Sequence, residues 1–93
     1  MNWKDATTYT RQQPGKPAQQ QTAWELNTGH VRIWISNAHR YYPGEWVYVC
    51  YNVGVSDAKP LDLKDDVSPE TAQKRAVAWV GARLEKMLKS LEQ

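Results

Sequence analysis

The sequence contains no phenylalanine and only one cysteine, Cys50. A single cysteine excludes an internal disulfide and fits a reducing compartment such as the cytosol. No apolar run is long enough to cross a membrane, and the N-terminal residues lack a signal-peptide core. We therefore expect a soluble, cytoplasmic protein that does not act at membranes.

Sequence motifs for catalysis and for cofactor binding are absent as well. His30 and His39 are the only histidines, and with one cysteine they cannot complete a Cys–His metal set. There is no phosphate-binding glycine loop and no nucleophile elbow. The aspartates between residues 57 and 66 lie among lysines, which favours solvation and helix capping over acid–base catalysis. We expect no enzyme activity, no metal and no cofactor.

The 93 residues that are present include five tryptophans and five tyrosines. With 41% hydrophobic and 24% charged residues, the chain is expected to form a single globular domain. The net charge of +2 is far below that of a dedicated nucleic-acid neutraliser and far from that of an acidic DNA mimic. Trp and Tyr carry polar edges, so some of them are expected at half-buried sites or interfaces.

Residues 1–21 are predicted to form an N-terminal arm and a linker. The arm contains Trp3 and a short β-like run around Tyr9, and the linker is rich in proline and glutamine. Such a linker has little to bury and is typical of an exposed loop. We expect the arm to dock on the domain through Trp3 and Tyr9; the alternative is a frayed arm.

Residues 22–63 predict a β-meander. Thr22–Asn27 and Val31–Ser36 alternate between two faces, and the Asn-Thr-Gly sequence between them predicts a hairpin with Gly29 at positive φ. A type II turn at Tyr42–Glu45 then leads to the third strand.

The third strand is expected over Trp46–Val53, again with two alternating faces. Lys59–Leu63 predicts a short fourth strand. Pro60 restricts that strand to a sheet edge, or places the proline at its first residue, because proline cannot donate to a ladder.

Residues 68–92 predict a helix that begins with Ser68 as N-cap and Pro69 at the first position. Its apolar stripe consists of Val77, Val80, Leu84, Leu88 and Leu91, with Met87 at the edge. Gly81 lies within this stripe, and we interpret it as a close approach of the helix to the sheet or to an aromatic ring. The expected fold is α+β: an antiparallel meander of three to four strands, covered on one face by the C-terminal helix.

The uncovered face of this sheet is the first candidate binding surface. We expect the helix to cover the face that carries Val31, Ile33, Ile35, Val47, Val49 and Tyr51. The opposite face then carries Arg32, Trp34, Trp46 and Tyr48. Aromatic rings beside an arginine are typical of base-stacking platforms and of protein-binding patches. The alternatives are coverage by the N-terminal arm and a homodimer with the sheets face to face.

Two further surfaces combine aromatic and basic residues. On the helix, Trp79 is expected opposite the apolar stripe, between Arg75 and Arg83. The alternative is that the arm or linker covers Trp79. In the turn before the third strand, Arg40, Tyr41 and Tyr42 resemble a recognition loop, or simply pack on their own hairpin.

The layout resembles that of small accessory proteins encoded by tailed bacteriophages and prophages of proteobacteria. The resemblance lies in Trp3 followed by Thr-Tyr-Thr-Arg, in Trp24 at the start of the sheet, in the Tyr-Pro-Gly-x-Trp turn and in the Pro-Glu-Thr-Ala-Gln-Lys-Arg-Ala helix start. It implies a phage product in the host cytoplasm. Such proteins often bind and block one host protein, and anti-CRISPR inhibitors are one kind.

The leading hypothesis from the sequence is a non-enzymatic protein-binding module that occludes a host or defence-system protein. The expected contact residues are Arg32, Trp34, Arg40, Tyr41, Tyr42, Tyr48, Arg75, Trp79 and Arg83. The alternatives are a nucleic-acid-binding module that uses the same surfaces, and a structural homodimer.

Overall fold

In the computed structural model, which describes residues 2–7 and 21–92, an antiparallel sheet packs against one long helix. The strands are β1 (Trp3–Asp5), β2 (Ala23–Asn27), β3 (Arg32–Ser36), β4 (Glu45–Cys50) and β5 (Val55–Lys64). A 3₁₀ turn, Tyr51–Val53, separates β4 from β5, and the helix α1 spans Pro69–Ser90. The predicted α+β class is confirmed.

The sheet has five strands in the order β1-β2-β3-β4-β5, rather than the predicted three to four. The additional strand comes from the segment predicted as an arm, because Trp3 pairs with Leu26 and Asp5 pairs with Trp24. Trp3 packs against the main core, so this part of the arm docks by joining the sheet. Tyr9, the second expected anchor, lies outside the described residues.

Both predicted turns form with glycine in the left-handed region. Gly29 has φ 89° after β2, and Gly44 has φ 78°. The amide of Glu45 donates to the carbonyl of Tyr42 at 3.3 Å, which closes the turn. With Pro43 and Gly44 as its central residues, the geometry is that of a type II turn.

The fourth predicted strand is longer than expected: β5 contains ten residues. It lies at the sheet edge, as Pro60 requires. Its pairing with β4 shifts register twice, and Asp62 takes a positive φ of 58° between Pro60 and Lys64. These irregularities interrupt the exposed edge and so disfavour pairing with a strand of another molecule.

The predicted facing of β4 is wrong. Ile35 lies opposite Tyr48, and Trp34 lies opposite Val49. Because directly paired residues share a face of a sheet, Tyr48 joins Ile35 beneath the helix, with Trp46 and Cys50, while Val47 and Val49 point away. The alternation within one strand shows which residues share a face, but only the register with a neighbouring strand decides which face meets the helix.

The third strand also ends earlier than predicted. β4 stops at Cys50, and the chain turns through the 3₁₀ segment, which Gly54 terminates at φ 82°. Tyr51 is therefore 73% exposed rather than facing the helix.

The core lies between the sheet and the first half of α1. It is built from both aromatic and aliphatic side chains, the largest of them fully buried: Trp46, Tyr48, Ile35, Leu61, Val55 and Cys50. The rings of Trp24 and Trp46 lie 5.5 Å apart. Trp46 Nε1 donates to the carbonyl of Val67 at 3.0 Å, which satisfies the buried indole and holds the segment before the helix.

The helix begins as predicted but covers less of the sheet than predicted. Ser68 Oγ accepts a hydrogen bond from the amide of Thr71 at 3.3 Å, so Ser68 is the N-cap. The buried helix residues are Ala72, Ala76 and Val80, all in the first half of α1. Leu84, Leu88 and Leu91, expected in the core, are exposed instead.

Gly81 does not mark a close approach. A Cβ atom added to Gly81 would meet nothing within 4 Å. The predicted close approach of the helix to the sheet or to an aromatic ring at this position is therefore wrong.

Candidate binding site

One groove contains residues from the three surfaces that the sequence presented separately. It runs between α1, the turn before β4 and the edge strand β5, and its volume is about 410 Å³. Its lining combines three aromatic rings, a proline, an alanine and two cations: Tyr42, Tyr48, Trp79, Pro60, Ala82, Lys59 and Arg83. We refer to these seven residues as the aromatic groove.

The ring pair Tyr48–Trp79 forms the floor and one wall of the aromatic groove. The two centroids are 6.0 Å apart and the rings are nearly perpendicular, at 84°, which is a favourable edge-to-face geometry. Tyr48 is only 1% exposed. It therefore contributes to the groove as a buried ring beneath Trp79.

Arg75 also contacts Trp79. The guanidinium carbon lies 5.9 Å from the Trp79 ring centroid, and Nη1 donates to the carbonyl of Leu61 at 3.0 Å. Arg75 therefore bridges α1 and β5, which orients the indole toward the groove. This arrangement makes Arg75 a positioning residue rather than a contact residue, and Trp79 is half-buried instead of projecting alone into solvent.

Tyr42 reaches the groove because of the type II turn described above. Its ring lies 5.6 Å from that of His39, which lies 5.7 Å from that of Tyr41. Tyr41 itself is outside the groove and strongly exposed, with the guanidinium of Arg40 5.6 Å from its ring centroid. Of the three predicted turn residues, only Tyr42 joins the helix residues in one site.

The groove is positively charged. Neither Lys59 nor Arg83 forms an ion pair with a described residue, and no acidic side chain lines the groove. Both cations flank aromatic rings, so a ligand with a carboxylate next to an apolar side chain would satisfy both features.

The sheet face that points away from α1 is not the open aromatic platform that the sequence predicted. Trp46 and Tyr48 lie on the opposite face, and Trp34 is the aromatic residue that remains. Arg32 pairs with Glu25 at 2.7 Å. Ala23, Ser36 and Val47 on this face are buried.

Trp34 and Arg40 line a second depression with His39, Ser36, Ala38 and Thr22, of about 410 Å³. The Trp34 and His39 rings meet edge to face at 6.5 Å. Apart from Arg40 there is no cation here, and His39 Nδ1 already accepts from the amide of Tyr41 at 3.3 Å. This depression combines fewer recognition groups than the aromatic groove.

Three groove residues were missed from the sequence. Ala82 follows Trp79 by three positions on the helix, so helical spacing alone would have found it. Lys59 enters through its pairing with Tyr48, and Pro60 is its neighbour in β5. That register depends on the irregular β5 edge, for which the sequence offers no signal.

The described residues also bear on other kinds of site. Among them, no group of three or more His, Cys, Asp or Glu side chains is placed to hold a metal ion. Within the same ranges, no helix is long and apolar enough to span a membrane.

The comparisons with known proteins found no relatives. No protein-family model matches the chain, and searches of curated proteins and of solved structures return no match either.

Proposed function

We propose that this chain is a non-enzymatic protein-binding module, and that the aromatic groove receives an acidic, partly apolar segment of a partner protein. The observation that carries the proposal is the convergence of Tyr42, Trp79 and Arg83 from the turn and the helix on one lined groove. Aromatic anchors beside arginine are the groups that most often dominate binding energy at protein interfaces.

The shape of the groove supports a side-chain-mediated mode of binding. Its volume of about 410 Å³ accommodates a few side chains. Strand addition at the neighbouring β5 edge is disfavoured by Pro60, by the register shifts and by Asp62 at positive φ. The partner segment is therefore expected to insert side chains between Trp79 and Tyr42 and to place a carboxylate between Lys59 and Arg83.

A nucleic-acid-binding module is the competing function, and the arginine contacts weigh against it. Arg32 is paired with Glu25, and Arg75 donates to the Leu61 carbonyl. The groove then offers Lys59 and Arg83 for phosphates, and two contacts give little affinity at physiological salt. If nucleic acid is nevertheless the ligand, the logarithm of its affinity will fall steeply with the logarithm of salt concentration.

The more specific version of the proposal is a phage-encoded inhibitor that occludes a host or defence-system protein, such as a CRISPR–Cas component. This version is supported by the sequence resemblance alone. In this version, the aromatic groove would hold the partner's acidic segment and so prevent that segment from making the partner's own interactions.

The test is a selection of random linear peptides on the immobilised protein, followed by affinity measurements with fluorescent versions of the enriched peptides. We expect enrichment of sequences with Asp or Glu beside an aromatic or aliphatic residue. Lys59→Glu and Arg83→Glu should each weaken binding about tenfold or more, because each places a like charge at the expected carboxylate.

Matched controls exist on the same two elements. Lys64→Glu on β5 and Lys89→Glu on α1 change the charge identically, and neither residue lines the groove. Both should bind like the unmodified chain. Equal weakening by groove and control variants, or enrichment of peptides without acidic residues, would contradict the proposal.

A further inference from the structure

The second half of α1 carries an exposed apolar stripe. Leu84, Met87, Leu88 and Leu91 are 37%, 47%, 59% and 82% exposed. Val80 is the last buried residue of α1, and these four side chains follow it on the part of the helix that extends past the core. We refer to these four residues as the leucine stripe. Contiguous apolar patches of this kind on a protein surface mark interaction sites.

The spacing of the stripe is that of a helix–helix seam. Leu84, Met87 and Leu91 are separated by three and four positions, and they continue the sequence Val77, Val80 in the same pattern. Alternating spacings of three and four keep a narrow apolar line on one side of a helix, which suits a second helix rather than a flat surface. The stripe is therefore shaped for a helical partner.

We propose that the helical partner is α1 of a second copy of this chain, paired antiparallel through the leucine stripes. A two-fold pair of identical stripes is self-complementary in length and in apolar character. The other side chains on this segment mix both signs: Arg83, Lys86, Lys89, Glu85 and Glu92. No strong field of one sign therefore opposes self-association.

The position of the sheet determines the antiparallel direction. Val80 contacts the sheet core, and Leu84 follows one turn later on the same side of the helix. A parallel partner helix would run back along this side and collide with the sheet. An antiparallel partner overlaps only the second half of α1 and leaves the two sheets at opposite ends.

The expected dimer is weak. Specific interfaces generally bury about 1,200 Å² or more in total. The stripe from Leu84 to Leu91 covers only about two helical turns at 3.6 residues per turn, so the pair buries less than that and is transient. We therefore expect a dissociation constant in the micromolar range or above. Pairing leaves the Trp79 end of the aromatic groove open, because Trp79 lies about 140° around the helix from Leu84 at 100° per residue. Arg83 lies one turn before Met87, at the edge of the seam. One dimer would then present two grooves.

Sedimentation velocity over the micromolar concentration range tests the proposal. The unmodified chain should shift from monomer to dimer as its concentration rises, whereas the double variant Leu88→Glu/Leu91→Glu should stay monomeric. The control double variant Lys86→Gln/Lys89→Gln changes the net charge by the same amount on the opposite side of α1, and it should dimerise normally. Circular dichroism checks that both double variants are folded, which we expect because Lys86, Leu88, Lys89 and Leu91 are all exposed.

A monomer at every concentration would overturn the proposal, and so would a dimer that survives Leu88→Glu/Leu91→Glu. The orientation is tested separately by mixing Leu84→Cys chains with Leu91→Cys chains under mild oxidation. Antiparallel pairing predicts mainly mixed disulfides, each of which joins a Leu84→Cys chain to a Leu91→Cys chain. A predominance of disulfides between two chains of the same variant would show that the pairing is parallel.

Discussion

At the scale of single residues, the arginines beside aromatic rings differ in what they contact. Arg75 is bound to the carbonyl of Leu61 and to the Trp79 ring, so it stabilises the fold. Arg83, two turns further along the helix, lines the groove without an ion pair to a described residue. In the sequence both flank Trp79 at four positions and look equivalent. The contact with β5 holds Arg75 in the fold, whereas Arg83 faces the groove.

Gly81 provides the first stability prediction. Replacing it with alanine should raise the free energy of unfolding by about 0.5–1 kcal/mol, because alanine has the higher helix propensity and an added Cβ meets nothing within 4 Å. Thermal unfolding should show the midpoint rise by roughly 2–8 °C.

Gly44→Ala is the matched control for Gly81→Ala. Gly44 also has open space around its Cα, but its φ of 78° is in the left-handed region, so alanine there is strained. This variant should lower the unfolding midpoint. A destabilised Gly81→Ala would show that some neighbour approaches the helix more closely than 4 Å.

At the scale of elements, strand positions were predictable and their mutual facing was not. The alternating pattern and the turn glycines located β2, β3 and the hairpin between β3 and β4. The orientation of the Trp46 and Tyr48 side chains toward the helix follows instead from the pairing of Ile35 with Tyr48. A valine face and a Trp-Tyr-Cys face are both apolar enough for a core, so hydrophobicity could not decide between them.

The candidate site was predictable to a similar extent. Aromatic and basic residues on the helix and in the turn identified Tyr42, Trp79 and Arg83. Their assembly into one groove required the helix to cross the face that carries Tyr48, and that face had been assigned the wrong way round. The composition therefore identified groove residues, whereas the register of the sheet determines which of them meet.

The second stability prediction concerns the connection between β4 and α1. Trp46→Phe removes the donor to the Val67 carbonyl and leaves space beside Trp24. We expect a loss of about 2–3 kcal/mol in the free energy of unfolding, from the unpaired carbonyl and the cavity together. Urea denaturation measures this loss as a lower midpoint.

Trp34→Phe is the control for Trp46→Phe. Trp34 is half-buried on the opposite sheet face and donates no hydrogen bond to a described residue through its indole nitrogen, so its replacement should cost less than about 1 kcal/mol. If both variants lose the same stability, the Trp46–Val67 hydrogen bond does not anchor the start of the helix.

At the scale of the whole molecule, α1 divides into two halves with different roles. The first half closes the core through Ala72, Ala76 and Val80, and it contributes Trp79 to the aromatic groove. The second half carries the leucine stripe and buries nothing against the described sheet. One helix thus connects the aromatic groove with the surface that we propose for a second copy.

This division predicts unequal hydrogen exchange along the helix. At low protein concentration, amides of residues 84–90 should exchange at least tenfold faster than those of residues 76–80, about 1.4 kcal/mol less opening free energy, because fewer buried contacts hold the second half. Exchange measured by nuclear magnetic resonance resolves the two halves. Raising the concentration should slow exchange in residues 84–90 selectively, since a second copy then covers the stripe. Uniform protection along α1 at low concentration would mean that the second half is held as firmly as the first, without any partner.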